Sequence, residues 1–114
     1  MLMGSDLRTC KERIGLNEAT FRQINESVET DYGEGNYAGL IGFLCECGHP
    51  DCEQPIHMTR REYEQVRQHP RRFAVIAEHA MRTVEDIAER HQRYAVVEKH
   101  QDVAALAERS DPRR

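Results

Sequence analysis

The sequence has no tryptophan, and its aromatic residues are limited to 4 tyrosines and 3 phenylalanines among 114 residues. Large aromatic anchors are therefore scarce. With 39% hydrophobic residues the chain can bury only a modest single-domain core, so a stabilising cross-link would help. No apolar run approaches the roughly 20 residues needed to cross a bilayer. Nothing near Met1 resembles a targeting signal, since Met1 to Gly4 is followed at once by Ser5, Asp6 and Arg8. The expectation is a cytoplasmic protein with no membrane partner. Positive charge is in short supply as well: 16 Lys and Arg against 20 Asp and Glu leave a net charge of -4, without the global cationic field that drives nucleic-acid binding. There is no Ser-His-Asp arrangement, no plausible pair of catalytic carboxylates and no phosphate loop. The G-x-G of "YGEGNYAG" has neither a strand before it nor a helix after it. These absences argue against an enzyme.

What the sequence does contain is a concentration of metal-ligand side chains. Three of its 4 cysteines fall in "FLCECGHPDCEQPIH", residues 43–57, together with His49 and His57. In a cytoplasmic setting, where thiols stay reduced, such clustering points to metal before disulfide. A strand starting at Phe43 would place Cys45 and Cys47 on one face by alternation and turn Glu46 away from it as a solvated carboxylate. The turn residues Gly48, His49, Pro50 and Asp51 could then fold Cys52 back, with turn N–H groups donating to the sulfurs. Thiolates and imidazole in this geometry suit a tetrahedral zinc ion. Cys10, on the apolar face of a short helix between Ser5 and Gly15, reads as a packed core residue.

Around this knuckle the pattern predicts a small α+β domain. A second helix begins at Asn17, with Leu16 and Phe21 in staple positions and Phe21, Ile24 and Val28 on one face. A flexible glycine-rich connector follows, "DYGEGNYAGLIG". Thr59 and Glu62 form a T-x-x-E capping box for a helix that turns Tyr63 and Val66 inward and stops before Pro70. Strands are expected at Phe73 to Ala77 and across "YAVVEKH", making a short antiparallel sheet. The segment between them, residues 80–92, fits either a helix or a hairpin. "QDVAALAER" closes the domain as a helix or turn, and "SDPRR" reads as a frayed tail. The implied division is an N-terminal helical segment with its connector (1–40), a zinc-binding α+β domain (41–110) and a tail (111–114).

The fourth ligand is open on spacing alone. His49 would strain a tetrahedron from mid-turn, His57 lies just before the helix staple, His69 precedes a proline, and His91 and His100 sit in polar stretches. His79 ends the expected strand and could reach the knuckle from a neighbouring element. Residues 43–99 also resemble a group of small bacterial hypothetical proteins, through Phe43, Cys45, Glu46, Cys47, Cys52, Glu62, Tyr63, Val66, Arg67, Pro70, Phe73, Val75, His79 and "YAVVEK" from Tyr94 to Lys99. Here Ala77 and Glu78 precede the histidine, where that group has Pro-Gly. The resemblance implies that Cys45, Cys47, Cys52 and His79 form one metal site, and it implies no particular activity.

One further island stands out. Residues 59–72 carry 5 arginines against 2 glutamates, for a local charge of +3. Arg60, Arg61, Arg67, Arg71 and Arg72 are thus candidate polyanion contacts. The alternative, favoured by the acidic total, is that they pair with the chain's own carboxylates. The combined expectation is a non-catalytic zinc-stabilised module that contacts another protein. Its rivals are a nucleic-acid-binding regulator and a thiol redox switch in which oxidation of Cys45 or Cys47 expels zinc.

Overall fold

The computed structural model describes residues 18–30, 39–47, 49, 52 and 54–113. The short helix expected between Ser5 and Gly15, Cys10 within it, the Asn17 cap and most of the glycine-rich connector lie outside the described residues. Among the described residues the architecture is α+β, with three helices and two small antiparallel sheets. Helix α1 covers residues 18–30. Strand β1 (Leu40–Leu44) pairs with β2 (Pro55–Thr59), which runs directly into helix α2 (Arg60–Arg67). Strands β3 (Arg72–Val75), β4 (Glu85–Arg90) and β5 (Ala95–Lys99) form the second sheet in the order β3-β5-β4, and helix α3 (Gln101–Arg109) follows.

The first sheet obeys alternation. Ile41 and Phe43 on β1 and Ile56 and Met58 on β2 point inward, while Gly42 and His57 point out. The strand begins at Leu40 rather than Phe43, because its pairing with β2 reaches from Leu44↔Pro55 to Leu40↔Thr59 and so includes the end of the expected connector. At the β2–α2 junction the capping box is formed as expected. Thr59 Oγ1 accepts from Glu62 N at 3.1 Å, and Glu62 Oε1 accepts from Thr59 N at 2.8 Å. Tyr63 then enters the core and stacks on Phe43, with ring centroids 4.4 Å apart. As the central strand of its sheet, β5 buries Ala95, Val96 and Val97 in succession.

Three expectations are corrected or decided. β3 stops at Val75, short of Ala77, because the next N–H, from Ile76, donates to the Cys45 sulfur and Ala77–His79 tightens into a single 3-10 turn. Residues 80–92 resolve as a hairpin. β4 pairs with β5 from Glu85↔Lys99 to Arg90↔Ala95 through a bulge at Ile87/Glu89, and His91 N donates to Tyr94 O across the turn. The tail is tied down rather than frayed: Asp111 is buried against Arg67, and Arg113 bonds Glu26, Glu29 and Glu64.

Helix α1 departs most from its pattern. The expected apolar face of Phe21, Ile24 and Val28 is not the buried one, and Ile24 is 42% exposed. The helix instead buries Glu18, Arg22, Asn25 and Glu29, a polar stripe at helical spacing. The reason is that its partners are polar. Arg22 donates to the carbonyls of Pro70 and Ala107, with its guanidinium 4.3 Å over the Phe73 ring, and Lys99 Nζ lies 2.5 Å from Glu18 and 2.7 Å from Glu85.

Candidate metal centre

Cys45 and Cys47 follow directly on β1. Their segment leaves β2 and crosses to the second sheet: Cys45 N donates to Gln54 O at 3.2 Å, and Glu46 N to Ala74 O at 2.8 Å. This change of partner carries both thiols to the end of β3, where the Ile76 N–H donates to Cys45 Sγ at 3.1 Å. Cys52 is returned by the turn, its N–H reaching His49 O at 3.1 Å. The 3-10 turn after β3, closed by His79 N donating to Ile76 O, supplies His79.

These four residues converge. The three sulfurs and one imidazole nitrogen all lie within 4.8 Å of one another, and His79 Nδ1 stands 3.5 Å from both Cys45 Sγ and Cys52 Sγ. An ion about 2.3 Å from sulfur and about 2.0 to 2.1 Å from nitrogen, at the tetrahedral angle, would set each S···N edge at about 3.5 to 3.6 Å. The donor set therefore fits a tetrahedral metal ion. Burial is asymmetric: Cys45 and Cys47 are sealed, whereas Cys52 and His79 are half-buried on a solvent-facing edge. The thiols are strongly linked. A hydrogen bond from Cys45 brings the Cys47 thiol down to about 5, helped by the His49 backbone N–H, while that same bond and burial push Cys45 up. Desolvation raises Cys52. Such a cluster is poised to exchange its protons for a cation.

The other histidines stay outside the cluster. His49 is exposed, edge-on to His79 at 5.6 Å between ring centroids, His57, His69 and His91 are exposed, and His100 is half-buried beside Asp86. The arginine island is dispersed by the fold. Arg67 has no exposed side-chain surface and pairs with Glu26 and Asp111; Arg71 pairs with Glu108, and Arg72 with Glu89 and Glu98. Arg60 is half-buried and Arg61 exposed.

Glu46 overturns its expected role as a solvated carboxylate. It does point away from the thiols, but the opposite face of the strand is also interior, and Glu46 is fully buried. Its Oε2 accepts from Tyr63 O–H at 2.7 Å and from Asn25 Nδ2 at 2.9 Å, and its Oε1 from Ala74 N at 3.0 Å. Burial raises the carboxyl despite these three donors, and in turn Tyr63, buried beside it, is pushed well above a normal phenol. Sequence reasoning missed this hub and its Asn25 partner. The face that alternation assigned to water is covered by helices α1 and α2, through Asn25 and Tyr63. The chain matches no protein-family profile, no curated protein and no solved structure.

Proposed function

We propose that the chain is a zinc-binding, non-catalytic module of the cytoplasm, whose metal ion is held by Cys45, Cys47, Cys52 and His79 and whose surface serves contact with another protein. The observation that carries this reading is the convergence of three sulfurs and one imidazole nitrogen within 4.8 Å, with 3.5 Å S···N separations that suit a tetrahedral ion. The same four residues are those implied by the sequence resemblance. Thiolate-rich tetrahedral donor sets favour zinc among the common divalent ions. Four protein ligands leave no open position for a reacting water, which supports a structural over a catalytic role. Internal pairing of Arg67, Arg71 and Arg72 weighs against the nucleic-acid reading.

Metal analysis of the purified protein should find one zinc per chain, and cobalt substitution should give the intense visible absorption of a tetrahedral thiolate site. Cys45→Ser, Cys47→Ser, Cys52→Ser and His79→Ala should each lower metal occupancy and melting temperature, while His49→Ala should retain both. A folded, metal-free wild type would overturn the reading. Metal loss in His49→Ala but not His79→Ala would assign the fourth ligand to the wrong histidine.

A further inference from the structure

We propose that the Glu46 carboxylate links occupancy of the metal centre to the docking of helix α1, so that metal binding is read out at a helix that supplies no ligand; this rests on the metal reading above. Glu46 lies between two ligands, so its backbone cannot shift without moving Cys45 or Cys47. Its side chain reaches three elements at once: Asn25 on α1, Tyr63 on α2 and the Ala74 N–H on β3. All three partners donate. A buried carboxylate that loses them is left with unpaired acceptors away from water, which is strongly unfavourable.

The connection to α1 runs through one side chain. The Asn25 amide brackets Leu44, accepting from its N–H at 2.8 Å and donating to its carbonyl at 2.9 Å, and the same Nδ2 reaches Glu46. Asn25 thereby clamps the strand just ahead of the first ligand. The remainder of the α1 stripe is polar as well, with Glu18 on Lys99, Arg22 on two carbonyls and Glu26 on Arg67. These groups can be solvated when the helix is undocked, whereas in the docked helix Glu18 Oε1 and Arg22 Nε are buried without a hydrogen-bond partner, so docking is a small net difference between large opposing terms. That balance makes α1 an element that a few hydrogen bonds can shift. Without a cation, three sulfurs crowded within 4.8 Å have no common partner; as the ligand segment relaxes, Glu46 and the Leu44 backbone lose their register with Asn25. Coupling is reciprocal, so an intact Asn25 clamp must also strengthen metal binding.

The test combines hydrogen exchange and chelator competition on the full chain with zinc. Removing zinc should speed exchange in residues 18–30 about tenfold or more relative to the β4–β5 hairpin. Asn25→Ala removes no ligand, yet it should weaken zinc affinity about fivefold or more and loosen α1 in the loaded protein. Glu46→Gln keeps the shape but presents an N–H₂ to donors, and should do the same, whereas Ile24→Ala on the exposed side of the helix should change neither measurement. Unchanged zinc affinity in both Asn25→Ala and Glu46→Gln would overturn the link, as would α1 exchange indifferent to zinc. If the metal-free chain loses protection throughout, the affinities of these variants decide. A wild type that binds no zinc would instead remove the metal reading itself, and the link with it.

Discussion

Cys45 and Cys47 are 1% and 0% exposed, whereas Cys52 reaches the solvent edge of the cluster beside His79. Accessibility therefore sets the order of attack on the thiols, even though Cys47 has the most thiolate character. In protein stripped of metal, timed alkylation followed by peptide mass spectrometry should modify Cys52 several-fold faster than Cys45 or Cys47. Equal rates would mean that the sealed pair opens freely. Under the redox-switch reading, exposure would make Cys52 the first thiol an oxidant meets, ahead of Cys45 and Cys47. The three thiols were legible in sequence because strand alternation and a Gly-Pro turn are local rules. Glu46 was not, because whether the far face of a strand meets water depends on what packs over it, here Tyr63 and Asn25 from residues far along the chain.

At the scale of the element, the cap of α2 and the inward turn of Tyr63 and Val66 were legible, since a capping box is made by residues three apart, but the burial of Arg67 on the same helix was not. Helix α1 was located but its most buried face was misplaced, because periodicity reports apolar residues while this helix meets ionic partners on β5 and α2 and leaves Phe21 and Val28 half-buried. The hairpin at residues 80–92 stayed undecided in sequence, its Met81, Val84, Ile87 and Ala88 fitting a helical stripe until pairing with β5 outweighed it. The buried stripe has a consequence for pH. Burial raises Glu18 from 4.5 to about 8, opposed by Lys99 and reinforced by Glu85. Because the folded value lies above the unfolded one, this stability contribution is complete below about pH 4.5 and is lost as pH rises through about 8. At saturating zinc, the melting temperature of wild type should fall between pH 6 and about 9 by several degrees more than that of Glu18→Gln. A parallel pH profile in the variant would show that Glu18 is not the titrating group.

Across the whole molecule, charge is organised by depth. Lys99 with Glu18 and Glu85, and Arg67 with Glu26 and Asp111, are interior ion pairs, whereas Arg72 with Glu89 and Glu98 is a surface set. The arginine island was visible in sequence, but its division between core and surface was not, because Asp111 stands 44 residues from Arg67. Asp111→Ala should cost about 1.5 to 3 kcal/mol in denaturant unfolding, as expected for a charged hydrogen bond lost from the interior. Arg72→Ala should cost at most about 1 kcal/mol. Similar costs for the two would mean that depth does not govern these pairs.

The pairing of helix α1 with residues 99–113 also imposes a timetable on synthesis. Glu18 finds Lys99 81 positions later, Arg22 finds the Ala107 carbonyl 85 later, and Glu26 finds Arg113 87 later. A chain emerging from the ribosome in order can assemble the β1–β2 pair and its cysteine turn while α1 still lacks these three partners. The full set of α1 contacts therefore cannot close until residues 99–113 have been synthesised, although Asn25 can meet Leu44 and Glu46 earlier. Until then the nascent chain presents the polar stripe of α1 to water, a stripe that water solvates and that offers little to the apolar contacts by which unfinished proteins aggregate.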